Sequence, residues 1–274
     1  MVGQKLTERL GQSVIVENRP GAGSSIATER VAASPADGYT LLMLGASGAA
    51  QAALRARLPY DVERDLAPVT LVVIGPFVIV VHPSVPVRDI GQLIALARSR
   101  PGKLSYGSNG AGSVLHLAAE LFNWMAKVKI EHVPYKGAAE YVVAVAAGEI
   151  DMSFTTITSA LPLLNVGRLR AVAVTSARRT SMMPSLPTLA ESGLTGYDRS
   201  SWFGMLTPAG VPKDIIAQLN EAIGRIVNAP ETRDSLIQQG LEPQTGTPEQ
   251  FAALIRNEIV QNARLIQLAG IKPE

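Results

Sequence analysis

The segment from Leu104 to Met125 constrains the fold more than any other stretch of this 274-residue chain. A short strand-like run, Leu104 to Gly107, enters the turn Tyr106-Gly107-Ser108-Asn109-Gly110-Ala111-Gly112-Ser113. Apolar residues then recur at Val114, Leu117, Ala118, Leu121 and Met125, the spacing of one helix face. Strand, Gly/Ser turn and amphipathic helix together form one unit of an alternating α/β sheet. A turn of this composition presents hydroxyls and free backbone N–H groups at the positive end of a helix dipole, which makes an anion cradle. The opposite helix face carries His116, Glu120, Asn123 and Lys127, and His116 reads there as a solvated or cleft-edge group.

The same unit recurs along the chain. Val2, Leu6 and Leu10 lie at helical spacing before Gly11, a helix-ending glycine. A strand is expected at Val14 to Glu17, followed by Arg19-Pro20-Gly21-Ala22-Gly23-Ser24-Ser25, a second Gly/Ser turn opening onto a helix that runs to about Ser34. Tyr39 to Gly45 reads as a strand, and Val69 to Ile74 and Phe77 to Val81 as two buried strands around a bend at Gly75-Pro76. Strands at Lys129 to Val133 and Asp151 to Phe154 lead into Pro134-Tyr135-Lys136-Gly137 and Thr155-Thr156, each before a helix. A further strand follows at Leu169 to Thr175, then the irregular stretch Ser181 to Gly196 and a strand at Trp202 to Leu206. The tail is helical, with Ile215, Leu219, Ala222, Ile223 and Ile226 on one apolar stripe, and Thr247-Pro248-Glu249-Gln250 is a capping box with proline at the first helical position. Open α/β sheets bind ligands at the carboxyl ends of their strands, where these turns fall.

Several chemistries are excluded by residue types. There is no cysteine, hence no disulfide, thiolate nucleophile or zinc–thiolate site. No His-x-x-x-His or tight acidic cluster marks a metal site, and no cofactor fingerprint is present. The turn at 107–112 has the order G-x-x-G-x-G, not that of a dinucleotide fold, and no Lys-Ser/Thr follows it as in a phosphate loop. Net charge is +2 with scattered Lys and Arg, which disfavours nucleic acid. Gly45-Ala46-Ser47-Gly48-Ala49 resembles a nucleophile elbow without its last glycine, and reads better as a polar strand end lining a cleft. The run Leu66 to Val81 is short for a membrane span and is broken by Pro68 and Gly75-Pro76. Met1 to Gln12 lacks the apolar core of a signal peptide. From residues alone the 106–113 turn keeps two readings: a tight connection that needs glycine for its dihedrals, and an anion site.

A family resemblance narrows these readings. Val14-Ile15-Val16-Glu17-Asn18-Arg19-Pro20-Gly21-Ala22-Gly23, Asp37-Gly38-Tyr39-Thr40-Leu41-Leu42, Pro101-Gly102-Lys103-Leu104 with Tyr106-Gly107-Ser108, His116-Leu117, Val133-Pro134-Tyr135-Lys136-Gly137, Pro187 to Gly193 and Trp202-Phe203-Gly204 run in order over essentially the whole chain. Together they resemble the Bug family, the extracytoplasmic solute-binding receptors of tripartite tricarboxylate transporters. The resemblance implies a type II periplasmic-binding-protein fold, with two α/β lobes, two crossover strands and a ligand cleft between. Lobe one would be residues 1–80 and 207–274, and lobe two 81–206.

The implied function is non-catalytic capture of a small organic carboxylate in the periplasm and its delivery to membrane permease subunits. Ligand groups carried over are Gly23, Ser24 and Ser47 from lobe one and Ser108, Gly112, Ser113, Tyr135, Lys136, Gly137 and Thr155 from lobe two. Some relatives have an acid beside the position of Thr155, and its lack here disfavours an ammonium-bearing ligand. Relatives also carry a signal peptide, a first strand and a Pro/Gly-rich loop ahead of the helix in which this sequence starts. The expectation is therefore an N-terminally truncated lobe one, weak ligand binding, and a monomer prone to self-association through unpaired strand edges. A ligand-sensing regulatory protein and an anion-binding transferase or hydrolase are the alternatives.

Overall fold

A computed structural model describes residues 1–19, 24–55 and 57–271. In chain order, α1 (Val2–Leu10), α2 (Ser25–Ala32), β1 (Leu42–Gly45), α3 (Ala46–Leu54), α4 (Val62–Asp65) and the long strand β2 (Leu66–Val81) come first. Then follow α5 (Ile90–Ser99), β3 (Ser105–Ser108), α6 (Val114–Ala126), β4 (Glu131–Pro134), α7 (Ala138–Ala147), β5 (Met152–Thr156), α8 (Ile157–Asn165) and β6 (Arg170–Val174). The chain closes with β7 (Ser200–Pro208), α9 (Lys213–Asn228), α10 (Pro230–Gln238), β8 (Glu242–Pro243) and α11 (Pro248–Leu268). Two compact units result: Met1–Ile74 with Trp202–Glu274, and Gly75–Ser201. Among the described residues no helix is long and apolar enough to cross a membrane.

In the first unit, β1 pairs antiparallel with β7, β7 lies beside β2, and β8 pairs antiparallel with β2 at Val73–Pro243. Its core gathers Leu6 from α1, Val69, Val72 and Val73 from β2, and Leu219, Ala222, Ile223 and Ile226 from α9. The α9 residues are the apolar stripe of its sequence, so period and burial agree here. At α11 the expected capping box forms, with Thr247 and Gln250 each bonding the other's backbone N–H. Gly204 is required where β7 passes under Phe251, because a Cβ there would come within 2.1 Å of the ring.

Two expectations fail on this stretch of chain. Val14 to Glu17 forms no strand, and Ile15 and Val16 are 84% and 70% exposed. The Val14 N–H donates instead to Thr7 Oγ1 at 2.9 Å, tying the segment to α1 rather than to a sheet. Apolar β-branched residues favour a strand only when a neighbouring strand takes up their backbone groups. The two strands expected on either side of Gly75-Pro76 are one continuous strand, β2. Its first part pairs in the first unit and Phe77–Val81 in the second, so the proline falls where no single ladder needs its missing N–H.

The second unit holds a mainly parallel sheet in the order β6, β2, β5, β3, β4. β3 runs parallel to both β4 and β5, whereas β2 is antiparallel to both β5 and β6. Strands covered by helices on both faces become near-continuous apolar runs, and Val78 to Val81 is wholly buried. Val80, Phe122, Tyr141, Val145, Phe154 and Tyr197 share this core.

Candidate functional site

The register places four carboxyl strand ends of the second unit on one sheet edge. Ser108 on β3 lies level with Pro134 on β4, Gly107 with Ser153 on β5, Thr156 with Phe77 on β2, and Val78 with Val174 on β6. The turns at 108–113, 135–137, 155–157 and 175–177 therefore share that edge. Helices α6, α7 and α8 start there, with their N–H ends and positive dipole ends directed to it.

The β3–α6 turn is built around side chains that satisfy it from within. Gly107 sits where a Cβ would come within 2.6 Å of Tyr141 Cβ, and Gly110 and Gly112 adopt left-handed φ of 98° and 73°. Its glycines thus have structural reasons of their own. Ser113 is the N-cap of α6: its Oγ accepts from the His116 N–H at 3.3 Å and donates to the Gly110 carbonyl at 2.8 Å. Ser108 is fully buried, and its Oγ lies 2.7 Å from His132 Nε2. The Gly112 N–H donates to His116 Nδ1 at 2.9 Å. The His116 and His132 rings stack at 4.0 Å between centroids, with Tyr106 5.1 Å from His132. Glu120 Oε1 accepts from Tyr106 OH at 2.6 Å and from Asn123 Nδ2 at 3.2 Å, and lies 4.0 Å from His116 Nε2.

Burial sets the protonation states of this cluster. It pushes His116 down to about 4, with the neighbouring His132 adding to the effect, and it lowers His132 as well. It raises Glu120 and Tyr106. Both imidazoles are neutral at pH 7.

Of the two readings of His116, solvated or cleft-edge, the solvated one fails, since the residue is only 6% exposed. The buried face of α6 is broader than the expected stripe and shifted from it: Leu117 and Ala118 are buried as expected. Leu115, Ala118, Ala119, Phe122 and Ala126 enter the core, while Val114, Leu121 and Met125 are only partly buried. Helix α6 is apolar almost all round near its start, so periodicity alone did not select one of two overlapping rows.

The neighbouring β4–α7 turn is open by contrast. Tyr135 donates its backbone N–H to the Ser108 carbonyl at 2.9 Å and stacks edge-on against Tyr141. Lys136 is exposed, and its backbone N–H donates to Glu140 Oε2 at 3.1 Å. Gly137, the N-cap of α7, has extended backbone and offers no side-chain cap, and a Cβ added there would meet nothing within 4 Å. Thr155 is fully buried, with its Oγ1 accepting from Tyr141 OH at 3.2 Å. Thr156 caps α8 by accepting the Ser159 N–H, and Thr175 bonds across to Phe77 and to the Arg199 carbonyl. Sequence reasoning marked Thr156 as a strand-end hydroxyl but passed over Thr175 and the Ser108–His132 pair. The threonines carried the signal of hydroxyls at strand ends, but the His132 partnership needed the β3–β4 register.

In the first unit, Gly23 lies outside the described residues. Ser24 is the N-cap of α2 in a left-handed conformation (φ 81°) without a side-chain cap bond, and its carbonyl accepts from Thr28 Oγ1. Beside it, the buried Ser25 Oγ has no hydrogen-bond partner among the described residues. Ser47 is exposed on the first turn of α3, whose N-cap Gly45 makes no side-chain cap bond.

The chemistry available is neutral hydrogen-bond donation to an anion. Ser108 and His132 have the separation of a nucleophile and its base, but a fully buried Oγ leaves no face for an acyl group. Among the described residues no group of histidines and acids could hold a metal ion. Backbone N–H groups at helix starts spread an anion's charge over several donors.

Two compact α/β units, with β2 and β7 running across the boundary between their residue ranges, are the architecture of a two-lobe periplasmic solute-binding protein. The family model described as "Tripartite tricarboxylate transporter family receptor" matches residues 1–271, and the chain belongs to that family. It is 35% identical to Protein BugT of Bordetella pertussis over 99% of this chain and 84% of that protein. Among solved structures, R. palustris Rpa4515 with adipate has a TM-score of 0.83 at 35% identity, covering all of this chain and 92% of that one. MatC (Rpa3494) from Rhodopseudomonas palustris with bound malate has a TM-score of 0.77 at 29% identity, over 97% of this chain and 92% of that one.

Proposed function

We propose that this receptor captures a small organic carboxylate in the periplasm and passes it, without chemical turnover, to the permease subunits of a tripartite tricarboxylate-type transporter. Family membership and the acids held by Rpa4515 and MatC support the ligand class. The observation that carries the reading is the start of α7. Its first amides have no side-chain cap, Gly137 faces open space, and the helix begins at the sheet edge shared with the other turns.

In the second unit the carboxylate is held by Ser113, Tyr135, Lys136 and Gly137, with Gly112, Ser108 and Thr155 shaping the turns that present them. In the first unit Gly23, Ser24 and Ser47 serve the same ligand class. Donors of this kind bind a carboxylate without a buried cation. The protein works as a monomer in this scheme.

Native mass spectrometry of the purified protein identifies any acid that co-purifies, and calorimetry with adipate and malate measures affinity. Gly137→Asp places a carboxylate of the protein's own at the α7 start, where the extended backbone tolerates it. The expected result is at least a tenfold loss of acid affinity with an unchanged melting temperature or a higher one. Equal affinity in both proteins would remove this turn from the site, and turnover of a bound acid would replace the receptor reading with an enzymatic one.

A further inference from the structure

Inside the second unit is a cluster of ionisable groups, Tyr106 and His116 buried and His132 and Glu120 half-buried, that ligand capture does not require. His116, His132, Tyr106 and Glu120 lie directly beneath the 108–113 turn, and two of them hold it. The Gly112 N–H is bonded to His116 Nδ1 at 2.9 Å, and Ser108 Oγ lies 2.7 Å from His132 Nε2. An Nδ1 that accepts a hydrogen bond has its lone pair free, so the one proton of His116 is on Nε2, on the side of Glu120. A second proton can go only onto Nδ1. It would turn the acceptor into a donor facing the Gly112 N–H.

We propose that His116, backed by His132, is the positioning residue of the 108–113 turn: its neutral imidazole holds the Gly112 amide, and protonation of that imidazole unfastens the turn and releases a bound carboxylate. The release step rests on the assignment of this turn to the carboxylate site. The brace itself stands on the hydrogen bonds alone.

The surroundings fix the direction of the effect. From α6, Glu120 faces His116 Nε2 at 4.0 Å. From β4, the His132 ring stacks on it at 4.0 Å, so a charge on one ring opposes a charge on the other. Glu131, on the same strand, is paired with Lys129 at 2.9 Å and acts on Glu120 and Tyr106. From β3, the neutral Tyr106 hydroxyl occupies Glu120. Burial raises Glu120, which therefore takes up a proton early as the pH falls and withdraws the carboxylate nearest His116. The same burial keeps His116 neutral down to about 4. The turn is thus fastened at neutral pH and loosens in acid.

The test compares the native protein with His116→Asn and His116→Leu. Asn offers an acceptor oxygen near the position of Nδ1 that does not titrate; Leu offers none. Nitrogen NMR of the native protein at pH 7 should show His116 in the Nε2–H form. Amide hydrogen exchange, corrected for its intrinsic pH dependence, should show Gly112 protection falling by about tenfold per pH unit below the His116 titration midpoint. The loss should vanish in His116→Asn and be present at every pH in His116→Leu. An Nδ1–H form at pH 7, or Gly112 protection indifferent to His116 charge in the native protein, overturns the brace without reliance on any variant folding.

The second arm measures adipate affinity at pH 7 and at pH 3.5, below the His116 midpoint of about 4. The ratio should be larger in the native protein than in His116→Asn, the acid's own protonation being common to both. Equal ratios overturn the release step. No adipate binding by the native protein at pH 7 counts against the carboxylate assignment, while the exchange data still decide the brace.

Discussion

Helices α6 and α7 begin on neighbouring strands at one edge of one sheet, yet their first turns are finished in opposite ways. At α6, Ser113 caps the helix and His116 holds the Gly112 amide, so the turn is closed by the protein's own side chains. At α7, Gly137 supplies no cap, and the nearest carboxylate, on Glu140, reaches back to the Lys136 amide instead. A helix start carries unsatisfied N–H groups in either case. Spending them on side chains yields a stiff turn, whereas leaving them free yields a place for an anion. The contrast sets a braced turn beside an open one within a few residues of sheet.

Substitutions that break this contrast span a range of expected effects. The largest is Gly107→Val, which drives a side chain into Tyr141 and Ile150 beneath both turns. It should lower unfolding stability by about 3 kcal/mol, read from the urea midpoint at unchanged slope. Next is His116→Leu, which leaves the buried Gly112 N–H without its acceptor. The same titration should show a loss of about 2 kcal/mol, and a loss below 0.5 would mean the bond contributes little (~1–3 expected for an orphaned buried donor).

Acid should act on the closed turn in the same sense. His116 is held down to about 4 in the fold and returns to its ordinary value, near 6.5, when unfolded. The unfolded state therefore binds the extra proton first. Stability is full above the unfolded value and falls with pH through the interval down to the folded one, by at most ~1.4 kcal/mol per pH unit from this group. His132, lowered by burial, adds in the same direction. Urea titrations across this interval should show a steeper decline in the native protein than in His116→Asn.

The capping substitutions sharpen the comparison most directly because their signs differ. Ser113→Ala should cost about 1 kcal/mol through loss of the α6 cap. Gly137→Asp should raise stability by a few tenths of a kcal/mol while removing the anion site. A destabilising Gly137→Asp, measured by thermal unfolding, would show that the α7 start is not open.

Much of this arrangement was legible before any coordinates. Leu219, Ala222, Ile223 and Ile226 declared their face by spacing, and Thr247 with Gln250 declared a helix start by local bonds. Turns at strand ends were marked by Gly, Ser and Thr. Long-range pairing was not. Val14 to Glu17 has strand composition without a strand partner, and β2 runs through Gly75-Pro76 because different neighbours receive its two parts. Similarly, Leu115, Ala119, Phe122 and Ala126 of α6 enter the core beside Ala118, while Val114, Leu121 and Met125 only flank it, because of what covers the helix.

What the sequence determined by itself is local. It set helix periods, caps, the glycines that permit left-handed turns, and the order of family motifs, each specified by residues a few positions apart. The tertiary structure alone decided that His116 and His132, sixteen positions apart in number, would stack under one turn, that Ser108 would be sealed against an imidazole, and that Gly137 would stay open. Parallel strands connect through intervening helices, so which side chains become neighbours depends on register and on helix rotation. Neither is encoded in any short stretch of chain.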